Sequence, residues 1–141
     1  MRVIVDANGW ISSLLKPTFR DRVEVVFRME YCLLFSEQLF RELDRVLQKP
    51  HLEKRISRKL YEELVARLRG NAELVDVHSV VEVCHDPKDN FLLALAKDGN
   101  ADYLITGDDD LLVLETFEKT KIVTLTDFET AFPFHCSLHH R

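Results

Sequence analysis

Short runs of strand-forming residues alternate along this chain with segments that have helical periodicity. The first run, Arg-Val-Ile-Val at residues 2–5, ends at Asp6, and the run at residues 103–106 is followed by Gly107 and Asp108. Strands that alternate with helices are joined by crossover connections, which favour a parallel sheet covered on both faces. We therefore predict a three-layer α/β/α sandwich with a central parallel sheet. It forms one domain over residues 1–132, followed by a C-terminal tail, residues 133–141.

Local signals set the limits of the predicted elements. Pro17 ends the first helix, Ser36 and Ser57 are helix N-caps, and Gly70 ends the helix that Ser57 begins. We predict strands at residues 2–5, 31–35, 75–84, 103–106 and 121–125. We predict a first helix that begins after either Asp6 or Asn8 and ends at residue 15. Further helices are predicted at residues 21–29, 37–48, 58–69, 87–97 and 127–132.

Composition narrows the class of protein. The sequence has no run of about 18 apolar residues, so we expect no transmembrane helix. Its start becomes acidic at Asp6, too early for a secretory signal. The three cysteines lack a C-x-x-C spacing, which argues against a disulfide framework or a structural zinc site, and a reducing cytoplasm is the expected location. The His-rich tail has no partner residues at metal-binding spacing, and we interpret it as a frayed terminus.

Charge is unevenly distributed, although the formal net charge is only −5. Residues 41–69 hold nine basic and five acidic side chains, whereas residues 86–110 hold seven aspartates and two lysines. The basic segment is suited either to phosphate groups or, equally, to a solvated helix face. If it contacts an RNA backbone, the candidate residues are Arg41, Arg45, Lys49, Arg55 and Arg58.

Aspartates follow two of the predicted parallel strands. Asp6 follows the first strand, and Asp108, Asp109 and Asp110 follow the strand at residues 103–106. Ligand sites in such sheets lie outside the carboxyl ends of the strands, so both groups emerge at the same edge. Clustered carboxylates repel one another without a cation, and hard oxygen ligands favour Mg²⁺ or Mn²⁺. No Gly-rich phosphate loop or G-x-S-x-G motif offers another chemistry.

Further acids have both a functional and a structural interpretation. Helical geometry places Glu42 about 40° from the apolar stripe of its helix, where it either faces a site or pairs with Arg45 on the surface. Asp86 and Asp89 begin the apolar helix at 87–97, and one of them is expected to be its cap. Two carboxylates together with Asn90 exceed what a cap needs.

The ordered set Asp6-Ala7-Asn8, Glu42, Asp86-Pro87-Lys88-Asp89-Asn90 and Thr106-Gly107-Asp108-Asp109-Asp110 resembles the PIN-domain family. Within it, the sequence is similar to VapC-like toxins of prokaryotic toxin–antitoxin systems. The resemblance implies Mg²⁺- or Mn²⁺-dependent cleavage of single-stranded RNA. It implies catalytic, metal-binding roles for Asp6, Glu42, Asp89 and Asp108, an auxiliary metal-binding role for Asp110, and supporting roles for Asn8 and Asp86.

The resemblance also implies partners. A toxin would have a small antitoxin protein that blocks its acidic site, and a homodimer is plausible from the family. The alternative from another class is a catalytically inactive PIN-like scaffold that binds RNA or protein without cutting, because a fold does not fix a function.

Overall fold

The computed structural model describes residues 1–28 and 31–132 of the chain. Six strands form one sheet in the order β3-β2-β1-β4-β6-β5. Every neighbouring pair is parallel except β5 and β6, which form an antiparallel edge. The strands are β1 Arg2–Val5, β2 Cys32–Phe35, β3 Glu73–Leu74, β4 Tyr103–Ile105, β5 Thr116–Phe117 and β6 Thr120–Val123.

Helices connect the parallel strands. Those within the described residues are α1 Ala7–Leu15, α2 Pro17–Arg28, α3 Glu37–Leu47, α4 Pro50–Glu53, α5 Arg58–Asn71, α6 Asn90–Asp98, α7 Asp109–Leu112 and α8 Leu125–Ala131, and a 3₁₀ turn, Pro87–Asp89, precedes α6. In the described part of the chain, no helix combines the length and apolar character needed to cross a bilayer.

The central strands are buried on both faces. Successive side chains of a strand point to opposite faces, yet Val3, Ile4 and Val5 of β1 are all at most 4% exposed. Helices must therefore cover both sides of the sheet, and the predicted α/β/α sandwich is confirmed. Trp10 of α1 is fully buried, and its indole N–H donates to the Val5 carbonyl at 2.9 Å, which fixes α1 against the end of β1.

Strand register aligns the ends of β1 and β4. Val5 lies opposite Ile105, and the Asp6 N–H donates to the Ile105 carbonyl at 3.1 Å. The residues that follow the two strands, Asp6 and Thr106, therefore emerge side by side at one edge of the sheet. This edge is the ligand-binding edge expected of a parallel sheet.

The strand predicted at residues 75–84 is wrong. The described chain forms only the two-residue strand β3 at Glu73–Leu74, and residues 75–83 have no strand pairing. Their side chains do alternate between half-buried and exposed positions from Val75 to Glu82, which explains the misleading pattern. Asp98 at the end of α6 accepts hydrogen bonds from the His78 and Ser79 N–H groups at 2.6 and 2.8 Å. Val75 still donates its N–H to the Phe35 carbonyl of β2 at 2.7 Å, and beyond it the segment is held by the end of α6 rather than by the sheet.

Smaller differences concern boundaries. Pro17 separates two helices because it begins α2, at a position where its missing N–H costs nothing. The predicted end of α2 at Met29 lies outside the described residues. Gly70 lies inside α5, which continues to Asn71. The last strand stops at Val123 because Thr124 caps α8. The tail, residues 133–141, also lies outside the described residues.

Candidate active site

Carboxylates from four separate segments line one small cavity at the carboxyl edge of the sheet. The cavity has a volume of about 140 Å³. Three basic side chains, Arg45, Lys49 and Lys88, also line it. The acids come from the ends of β1 and β4, from α3 and from the start of α6; they are Asp6, Glu42, Asp86, Asp89 and Asp108.

Asp6 is the most deeply placed of these acids. It is the N-cap of α1, and its Oδ1 accepts a hydrogen bond from the Gly9 N–H at 2.9 Å. Its Oδ2 accepts a hydrogen bond from the Thr106 hydroxyl. Burial raises the pKa of Asp6, and so does the charge of Asp108, whereas the bonds from Thr106 and Gly9 lower it. A cation at this position would favour the ionised form that the two donors already support.

Thr106 connects two of the acids, and the sequence analysis missed this role. Its hydroxyl donates to Asp6, and its Oγ1 accepts from the Asp108 N–H at 3.0 Å. Thr106 is 3% exposed, so the chain of bonds is shielded from water. A hydroxyl can do both because it is one donor and also an acceptor. The only signal in the sequence is a threonine placed directly before Gly107 and Asp108.

We predict that Thr106→Val lowers the activity of this site by roughly tenfold to a hundredfold, because valine keeps the shape and removes both hydrogen bonds. Thr106→Ser keeps the hydroxyl and should retain most of the activity. The measurement is kcat/KM for both variants, with thermal unfolding to show that each is folded. Equal activity of Thr106→Val and the wild type would contradict the positioning role.

Of Asp86 and Asp89, the acid that acts as the cap, which the sequence left open, is Asp86. Asp86 Oδ1 caps the 3₁₀ turn by accepting from the Lys88 N–H at 3.1 Å. Asp89 makes no side-chain cap bond, and its Oδ2 is buried without a hydrogen-bond donor among the described residues. Burial, followed by the adjacent Asp108 carboxyl, raises the pKa of Asp89 to about 7. The two carboxyls can share a hydrogen bond only when one is protonated.

Asp110 joins this group from α7. One carboxylate oxygen from each of Asp86, Asp89 and Asp110 lies within 4.8 Å of the others, which is a spacing that one cation can bridge. Asp108 caps α7, and its Oδ1 accepts from the Asp110 N–H at 2.9 Å. The thiol of Cys84 contacts the Asp110 carbonyl at 3.5 Å, so the chain before α6 is tied to α7.

Glu42 satisfies both interpretations offered by its helical position. Its carboxylate forms a two-point ion pair with Arg45, with both N···O distances at 2.9 Å. Its side chain is 25% exposed, and it lines the same cavity as Asp6 and Asp89. Both partners of the ion pair therefore line the cavity.

The remaining predicted site residues differ in whether they line this cavity. Asn8 is exposed and lines it, although among described residues the donors to the Asp6 carboxylate are Gly9 and Thr106. Arg45 and Lys49 line the cavity, and Arg41 lines a neighbouring one. Arg55 lines neither. Arg58 pairs with Glu62 at 3.5 Å and lies over the Tyr61 ring.

The PIN-domain family profile matches residues 2–110, more than half of the chain and the whole span from Asp6 to Asp110. The chain belongs to the PIN-domain family. Searches of curated proteins and of solved structures returned no match.

PIN domains are in general nucleases that use divalent metal ions. The part of this PIN domain beyond the match, which includes β6 and α8, completes the sheet and contributes none of the acids. A nuclease fold with a carboxylate cluster that is suited to a metal ion is therefore present in this chain.

Proposed function

We propose that this PIN domain is a Mg²⁺- or Mn²⁺-dependent endoribonuclease that hydrolyses phosphodiester bonds of single-stranded RNA. The observation that carries the proposal is the convergence of Asp6, Glu42, Asp89 and Asp108, which are far apart in sequence, on one cavity. Like charges brought together in this way are costly unless a cation accompanies them. The PIN fold makes phosphodiester cleavage the chemistry to expect of such a site.

The residues at the site fit a hard divalent cation. All the candidate ligands are carboxylates, which favour Mg²⁺ or Mn²⁺ over zinc or copper. Within the described chain, the buried Oδ2 of Asp89 has no donor, so it has a free coordination position. We propose that Asp6, Glu42, Asp89 and Asp108 hold the ion, with Asp110 as an auxiliary and Asp86 in support. The carboxylates that already lie at ligand spacing are those of Asp86, Asp89 and Asp110, so Asp89 is the member common to the proposed ligands and this group. When bound, the ion activates a water molecule and stabilises charge on the phosphate.

The chain's own groups orient the site and bind the substrate. Thr106 and the Gly9 N–H fix the direction of the Asp6 carboxylate. Arg45, Lys49 and Lys88 line the cavity and supply the positive charge that a phosphate requires. Arg41 extends this surface to the neighbouring cavity. For Arg55 and Arg58, which line neither of these two cavities, we propose no direct contact with the scissile phosphate.

We further propose that the protein is a VapC-like toxin that acts in the cytoplasm with a small antitoxin. The support is the resemblance of the motif set, together with the accessible acidic cavity. An antitoxin would block it most directly by offering an arginine to the carboxylates. Co-expression with a small protein encoded beside the gene tests the toxin role. A homodimer is also proposed, and the mass of the purified complex tests it.

The nuclease proposal predicts cleavage that depends on metal. Purified protein is incubated with a fluorescent single-stranded RNA in Mg²⁺, in Mn²⁺ and in EDTA. We expect internal cuts with 5′-phosphate ends in either metal and none in EDTA, with activity restored by excess Mn²⁺. RNA that binds without being cut under every condition would instead identify the inactive scaffold.

A further inference from the structure

A second cavity, of about 620 Å³, adjoins the acidic cavity. Phe91 of α6 lines both, so the two spaces share a wall. The walls of this second cavity, which we call the flanking cavity, are the first turns of α3, residues 74–81, and α6 near Phe91 and Ala94. Its volume is within the range of small-molecule sites, about 300–1,000 Å³.

One wall of the flanking cavity is formed by residues whose main-chain groups have no hydrogen-bond partner in the described chain. These are the N–H and C=O groups of Asp76, Val77, Val80 and Val81. The N–H groups of His78 and Ser79 between them are bonded to Asp98, so this wall is held in place. An ordered row of unpaired donors and acceptors beside a cavity is suited to a ligand with donors and acceptors along one edge.

The opposite wall carries an unpaired positive charge. Arg41 is exposed and forms no ion pair within the described residues. Its acidic neighbour Glu37 is already paired with Arg69 at 2.9 Å. Arg41 therefore remains available to an anionic group of whatever occupies the flanking cavity.

We propose that the flanking cavity binds one unpaired nucleobase of the RNA strand whose scissile phosphate lies in the acidic cavity. This inference rests on the proposed nuclease function and specifies its selectivity. The base stacks on Phe91, its polar edge bonds to the main chain of residues 76–81, and Arg41 binds the phosphate of that nucleotide. A peptide strand would use the same main-chain groups, but the wall shared with the acidic cavity favours a nucleotide.

Base preference is the first test. A random-sequence single-stranded RNA is cut in Mn²⁺, and the product ends are sequenced. The wild type should prefer one base at a fixed position beside the cut. Ala94→Leu, which fills the floor of the flanking cavity, should reduce that preference by about tenfold and leave the preferences at other positions unchanged. Metal-dependent cleavage with the same preference in Ala94→Leu overturns the inference and leaves the nuclease proposal standing.

Binding without metal is the second test and does not need cleavage. Each nucleoside 5′-monophosphate is titrated in EDTA while the amide NMR signals are followed. The signals of Val77 and Val80 should shift, with one base bound most tightly. Arg41→Gln, an exposed and fold-neutral change, should weaken binding by roughly tenfold, and its matched control Lys59→Gln, at an exposed position that lines neither cavity, should not. Absence of shifts overturns the inference, whereas base-selective shifts in a protein that cuts no RNA would support the nucleobase site and overturn the nuclease proposal.

Discussion

Asp6→Asn is expected to lower metal-dependent RNA cleavage by at least about a thousandfold while the protein stays folded. The change removes the negative charge of the most buried of the proposed ligands that line the acidic cavity. Asparagine is as good an N-cap as aspartate, so the hydrogen bond from the Gly9 N–H in the first turn of α1 to the side-chain oxygen of residue 6 is kept. The measurement is the single-turnover cleavage rate in saturating Mn²⁺, with circular dichroism and thermal unfolding for the fold.

Asp109→Asn is the matched control for this loss of a carboxylate. Asp109 is exposed, lies between two proposed ligands in sequence, and does not line the acidic cavity. We expect its cleavage rate to remain within about twofold of the wild type. A folded Asp6→Asn variant that still cuts RNA at the wild-type rate would refute the site. Equal losses in both variants would instead indicate a general effect of negative charge.

Sequence patterns predicted an element correctly where the neighbouring residues alone determine its structure. The run at residues 2–5 ends at Asp6 as predicted, because a β-branched run followed by a cap residue has few alternatives. The strand predicted at residues 75–84 failed because alternation shows how side chains are placed and does not show which strand is the partner. His78 and Ser79 in this segment instead bond to Asp98 at the end of α6, a contact over about 20 residues that no local pattern encodes.

The candidate site, too, was predictable from the sequence only in part. A parallel sheet requires the ends of β1 and β4 to meet, so the proximity of Asp6 and Asp108 followed from topology alone. The sequence could not decide between Asp86 and Asp89 as the cap, since either spacing is compatible with the turn. Thr106 was missed because its role depends on two bonds to groups 100 and two residues away. The effect of such a hydroxyl is visible only in three dimensions.

Asp89→Asn is expected to remove RNA cleavage and to stabilise the metal-free protein at pH 8. At that pH the wild-type carboxyl is ionised, since its pKa is about 7, and it lies beside Asp108 with a buried oxygen that has no donor in the described chain. The asparagine amide is uncharged and offers an N–H to Asp108. We expect a rise in melting temperature on the order of a few degrees, a gain in stability at the cost of function.

The pH dependence follows from the direction of the shift in pKa. The folded protein raises the pKa of Asp89 to about 7 from an unfolded value of about 3.9, so folding binds this proton more tightly. The resulting stabilisation is fully present below about pH 4 and is lost as the pH rises to about 7. The melting temperature of metal-free wild type, relative to Asp89→Asn, should therefore fall across this range and level off above it.

A divalent ion must displace the same proton. The rise in melting temperature that Mn²⁺ produces in the wild type should therefore grow with pH up to about 7, and it should be small at every pH in Asp89→Asn. Asp109→Asn, with its exposed carboxylate outside the acidic cavity, should follow the wild type. If Mn²⁺ stabilises Asp89→Asn as strongly as the wild type, Asp89 is not a ligand. If the two proteins lose stability in parallel between pH 4 and 7, the carboxyl pair with Asp108 is not the group that binds the proton.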